Sequence, residues 1–67
     1  MTNVQELKAK LAFNDLSIGD VATALNLSYL QTHRKLKGEA NFTQPEIKKM
    51  QEVLKLKDDE VMTIFFG

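Results

Sequence analysis

Apolar residues recur along this chain at intervals of three and four, and nowhere do they settle into the alternation of a strand. Val4, Leu7 and Leu11 form the first stripe and predict a helix from about Val4 to Phe13. Asn3, three residues ahead of Glu6, supplies a capping-box start. Asn14-Asp15 supplies the stop, because Asn accepts the left-handed conformation that closes a helix. Phe13 and Leu16 flank that break and are expected in the core. Val21, Ala22 and Leu25 form a second stripe, opened by Ser17 and Asp20 with Leu16 and Val21 as a hydrophobic staple. Asn26 ends it.

After only Asn26-Leu27, the pair Ser28 and Gln31 announces a third helix, from Tyr29 to about Lys37, closed by Gly38. Glu39-Ala40-Asn41 reads as a loop. Phe42 to Ile47 then gives the plainest start in the chain. Thr43 caps, Glu46 reciprocates, Phe42 and Ile47 staple, and Pro45 sits in the first turn where its missing N–H costs nothing. Ile47, Met50 and Leu54 carry the apolar face of this fourth helix. A last short helix follows Lys57, its acidic first turn (Asp58, Asp59, Glu60) suiting the positive end of the helix dipole. Val61, Ile64 and Phe65 or Phe66 either complete the core or leave an exposed apolar end.

The expected fold class is therefore all-α, five helices in one compact domain over residues 1–67. The second and third helices, joined by so short a turn, must cross steeply. At these two helices the chain resembles the lambda-repressor-like family, the Cro/repressor-type helix-turn-helix regulators of phages and bacteria. The resemblance rests on Ala22 at the close-packing site of the first motif helix, the apolar Val21 and Leu25, the turn Asn26-Leu27-Ser28, and Leu36 near the end of the recognition helix. Phe42 to Ile47 is similar to the start of the family's fourth helix, and LKLKDDEVMTIFF to its closing helix. The chain departs from the family in three places. Asn26 replaces the usual turn glycine, Ile18 stands where many members carry a phosphate-contacting Gln, and Thr32 fills a site that is usually Ile, Leu or Val. The resemblance implies a transcriptional regulator acting on a double-stranded DNA operator, often as a homodimer on a two-fold site.

Charge changes the picture. Nine basic residues balance nine acidic ones in the 67-residue chain, which counts against nucleic-acid binding, where a basic surplus is the usual footprint. The distribution is uneven, however. Arg34, Lys35 and Lys37 cluster with His33 nearby, and Asp58, Asp59 and Glu60 lie far along the chain. Such a dipolar molecule can still be oriented on DNA, with a modest salt dependence.

The rest of the composition narrows the classes. There is no cysteine and one histidine, so no catalytic triad or dyad with a base and an orienter can be assembled. Neither metal ligands at a usable spacing nor a phosphate-cradling glycine loop is present. No enzyme activity, metal or cofactor is expected. Without a signal-like or bilayer-length apolar segment, the chain is expected to be soluble and cytoplasmic, with no membrane partner.

A helical wheel anchored on Leu36, at about 100° per residue, places Tyr29, Thr32 and His33 on or near the buried side of the third helix. Leu30, Gln31 and Arg34 point away, with Lys35 and Lys37 on the flanks. In a major groove, Leu can touch a thymine methyl, Gln can bond adenine and Arg guanine. Tyr29, half-buried on the wheel, occupies by resemblance a common base-contact site. The candidate base readers are thus Tyr29, Leu30, Gln31 and Arg34. Ser17 and Ser28, at helix starts whose free N–H groups favour phosphate, join Lys35, Lys37 and Asn41 as candidate backbone contacts. A second reading keeps the fold and changes the target. Zero net charge, the absent Gln at Ile18 and the apolar Ile64-Phe65-Phe66 end would suit a protein-interaction module, an anti-repressor or modulator that binds a partner regulator protein through Leu30 or the terminal Phe pair.

Overall fold

Four of the five helices begin where a cap side chain takes up an amide that a first turn leaves without a partner. The computed structural model describes residues 2–66, and these form α1 (Val4–Phe13), α2 (Ile18–Leu25), α3 (Tyr29–Leu36), α4 (Gln44–Leu54) and α5 (Asp58–Phe65), with no strand among the described residues. Full capping boxes open three of them, from Ser17 and Asp20, Ser28 and Gln31, and Thr43 and Glu46. α5 starts without a side-chain cap, although the Glu60 carboxylate accepts the Lys57 N–H at 2.9 Å. At α1 only half of the expected box forms. Asn3 Oδ1 accepts the Glu6 N–H at 3.2 Å, but the Asn3 N–H donates to the Ile64 carbonyl at 2.6 Å. Contact with the far end of the chain has replaced the local partner.

The helix ends share one device. After α1, α2, α3 and α4 an N–H reaches back five residues, Leu16 to Leu11, Leu27 to Ala22, Glu39 to Arg34 and Leu56 to Gln51, at 2.9–3.0 Å. This is the Schellman closure, and it requires a left-handed residue in between. Asn26 and Gly38 fill that role as their types suggest, with φ of 57° and 84°. At the end of α1 the left-handed residue is Asp15 (φ 55°), whereas Asn14 keeps φ −93°. The expectation that Asn14 itself turns left-handed is corrected by one position. Asp shares the short polar side chain that eases this conformation.

Leu7, Leu11, Val21, Leu36, Phe42, Ile47, Met50, Leu54, Leu56, Ile64 and Phe65 form the core. α2 packs on α3 and α4, α1 on α3 and α5, and α4 on α5. Phe42, ahead of α4, meets Phe65 edge-to-face with ring centroids 5.3 Å apart, a geometry worth about 0.5–1.5 kcal/mol beyond area burial. The apolar end of the chain therefore divides: Ile64 and Phe65 complete the core, and Phe66 stays exposed. Thr32 is fully buried. Its hydroxyl donates to the Ser28 carbonyl at 2.9 Å, so a polar residue sits under α3 without an unsatisfied group. Phe13 departs most from expectation. It is 88% exposed, because it lies about 200° around α1 from Leu11, opposite the buried stripe.

Two ion pairs tie one helix to another. The Lys10 ammonium on α1 donates to the Glu60 carboxylate on α5, and Lys35 on α3 donates to Glu46 on α4. Among the described residues no helix is long and apolar enough to cross a membrane.

Candidate functional site

α3 is held by its inner face alone. Thr32 and Leu36, one turn apart, are its buried residues, and the opposite side is left bare. Leu30, 66% exposed, Arg34 and Lys37 follow one another at i, i+4 and i+7 along that side, the spacing of a single helical stripe. Gln31 and Tyr29 border it on either hand. Tyr29 is 61% exposed rather than half-buried, since the core contacts of α3 begin at Thr32 and the first turn extends beyond them. Its ring lies nearly parallel to that of His33, with centroids 6.2 Å apart.

The start of α3 differs electrostatically from the other helix starts. α1, α2, α4 and α5 each carry an acidic residue in the first turn, and α3 carries none. Its cap is neutral: Ser28 Oγ accepts the Gln31 N–H and Gln31 Oε1 accepts the Ser28 N–H, both at 3.1 Å. The partial positive charge of the first-turn amides is uncompensated there. Ser17, by contrast, heads a helix already provided with an anion. Its N–H donates to Asp20 Oδ2 at 2.9 Å and its hydroxyl accepts the Asp20 N–H. Hydrogen bonding to the carboxylate by the Ser17 N–H, the larger cause, and by the Ser17 side chain holds the Asp20 carboxyl below its ordinary pKa. A phosphate at Ser17 would meet that charge. The Gln31 bond also matters chemically, because bidentate reading of adenine by its amide would require giving up the cap.

Arg34, Lys35 and Lys37 all have carboxylate neighbours. Lys35 is committed to α4: its Nζ lies 2.5 Å from Glu46 Oε1, and the two side chains are 15% and 14% exposed. A tie between helices, not a free cation, is what the fold makes of it. Burial alone would push the Glu46 carboxyl up; hydrogen bonds from Lys35 and from the Thr43 backbone and hydroxyl overcome this and hold it below the usual range. Arg34 Nε stands 3.9 Å and Lys37 Nζ 3.3 Å from the Glu39 carboxylate, in the open. Exposed pairs of this kind are weak and exchange readily for other partners. In the sequence Glu39 belongs only to the loop after Gly38, yet its place just past that glycine puts it within reach of the last turn of α3. Asn41 is exposed in the loop before α4, away from any regular element.

The structure thus brings Tyr29, Leu30, Gln31, Arg34 and Lys37 onto one continuous surface with the neutral start of α3, and diverts Lys35 to a part-buried ion pair with Glu46. Among the described residues no group of three or more His, Asp or Glu side chains is placed to hold a metal ion. No family model, curated protein or solved structure matches the chain.

Proposed function

We propose that this chain is a sequence-specific DNA-binding regulator of the Cro/repressor type, acting by binding and not by catalysis. In this reading α2, the Asn26–Ser28 turn and α3 work as a helix-turn-helix. α3 enters the major groove and a two-fold operator is read by two copies. The observation that carries the reading is the outer surface of α3. An apolar residue (Leu30), an amphipathic aromatic (Tyr29) and an arginine (Arg34) stand clear of the core beside a helix start with no acid of its own. Leu30 suits a thymine methyl and Arg34 the O6 and N7 of guanine. Lys37, Asn41 and the first amides of α3 would meet phosphates.

Fluorescence anisotropy titration against the DNA flanking its own gene tests this. Arg34→Ala should weaken the best site by about 10-fold or more, the usual cost of a lost base contact. Lys37→Ala should weaken all sequences alike and lower the salt slope by about one. Binding that survives both Arg34→Ala and Leu30→Ala undiminished would remove α3 from the interface.

A second reading, the protein-interaction module, is favoured by a different observation. Arg34, Lys35 and Lys37 all have intramolecular carboxylates, which leaves Leu30 and Tyr29 as the most distinctive exposed groups on α3. Here the partner is another regulator protein. Stoichiometric capture of such a protein through Leu30, with no DNA affinity above background, would select it.

A further inference from the structure

A groove of about 370 Å³ opens between α1, α2 and α3. Leu11, Ile18 and Leu36 line its floor, and Lys8, His33 and Lys37 stand around it. Lys8 makes no ion pair among the described residues. Lys37 already stands beside Glu39, so Lys8 is the cation this rim offers, and an apolar floor beside it selects an acidic segment that also carries large apolar side chains. The outer face of α5 has that composition. Asp59, Met62 and Phe66 fall at i, i+3 and i+7, and all three are exposed.

A chain cannot seat its own α5 there. α5 is bound to α1 through Lys10 and Glu60, and Lys8 projects about 200° around α1 from Lys10. The groove and α5 lie on different faces of the same helix.

We propose that this groove receives the outer face of α5 from a second copy of the chain, with Met62 and Phe66 over Leu11, Ile18 and Leu36 and Asp59 facing Lys8. The contact pairs two different faces, groove to helix; it rests on the groove and α5 alone, and because Lys37 lines the groove it competes with the phosphate contact proposed for that residue.

Sedimentation equilibrium of the whole chain over the micromolar-to-millimolar range tests it. The average mass should rise with concentration. Lys8→Glu and Asp59→Lys should each weaken association by about 5-fold, the scale of a rim ion pair turned repulsive. The double variant Lys8→Glu/Asp59→Lys should return towards the original strength, a rescue that misfolded chains could not give. Met62→Ser, which leaves every charge in place, should weaken association too, with helical circular dichroism retained. A mass that stays monomeric throughout overturns the proposal. So does association that Lys8→Glu leaves unchanged, as when two α5 helices pair with each other, or a double variant no stronger than the single ones.

Discussion

Lys55 holds a left-handed backbone at φ 56° to close α4, with neither a glycine's freedom nor the short polar side chain of Asn or Asp. The clash of Cβ with the following carbonyl costs about 1–2 kcal/mol in that region. Lys55→Gly should recover part of it, raising stability by about 0.5–1 kcal/mol in chemical denaturation once the extra freedom of glycine in the unfolded chain is discounted. Gly38 is the opposite case. At φ 84° an added Cβ would lie 3.1 Å from Val4 Cγ2, so Gly38→Ala should cost about 1–2 kcal/mol, with the same measurement reading a lower midpoint. Single residues were legible in the sequence where their chemistry is local. Ser17, Ser28 and Thr43 declared themselves because a cap and its reciprocating partner lie three residues apart. Phe13 misled because an apolar residue beside a helix end invites assignment to the core, although its angle from Leu11 already pointed outward. Tyr29 could not be placed from its angle alone, since its exposure depends on what fails to pack over the first turn of α3.

At the scale of helices, two glutamates serve two structures each. Glu46 and Glu60 sit in the first turns of α4 and α5, accept the N–H of Thr43 and Lys57, and also bind Lys35 and Lys10 from other helices. Both carboxyls are held below their ordinary pKa. For Glu60 the Lys10 hydrogen bond leads, followed by the Lys57 amide; for Glu46 the bonds of Lys35 and Thr43 outweigh the upward push of burial. A depressed carboxylate contributes stability that is complete above its unfolded pKa and is lost as pH falls through the folded one. The protein should therefore lose stability on acidification below the ordinary glutamate range near 4.5. In Glu46→Gln the amide can keep the cap while the ion pair disappears, so the acid limb of a pH–stability profile should become shallower and stability at neutral pH should fall. The raised pKa of Lys10, due first to its bond with Glu60, works in the other direction. Its contribution is present below about 10.5 and declines as pH rises through the higher folded value. The capping role of Glu46 is legible in its spacing from Thr43, whereas Glu60 is legible only as negative charge in a first turn. The second partners of both could not be read, because Lys35 and Lys10 reach them only once α3 and α4, and α1 and α5, have come together in space.

Over the whole molecule, balanced charge is the controlling fact for any polyanionic partner. Glu39 stands beside both exposed cations at the end of α3, and a phosphate must compete with it. If α3 faces DNA, Glu39→Gln should tighten binding by about 2- to 5-fold, the range of an exposed ion pair, and steepen its salt dependence as net charge rises by one. Unchanged affinity and salt slope would detach the α3 cations from the DNA surface. Much of the architecture at this scale was written locally. Five helices, their order and their starts follow from caps and stripes, and the structure extends over only 28 × 22 × 21 Å. The candidate surface was legible in outline, through Leu30 and Arg34 opposite Thr32 and Leu36. Its electrostatics were not, since Glu39 and Glu46 cancel cations that look free when α3 is read alone.

The bond from the Asn3 N–H to the Ile64 carbonyl, 2.6 Å long, has a topological corollary. It sets the first turn of the fold beside the last, so the two ends of the helical body are neighbours in space. A linker of about three to five residues, each spanning up to about 3.5 Å, could join them into a ring without disturbing α1 or α5. Cyclisation would remove conformations from the unfolded chain and leave the folded one untouched. A backbone-cyclised form should accordingly melt at a higher temperature than its linear parent. New ends opened in the exposed 39–41 loop should then give a permuted chain that folds to the same five helices, a result that circular dichroism and thermal melting would display directly.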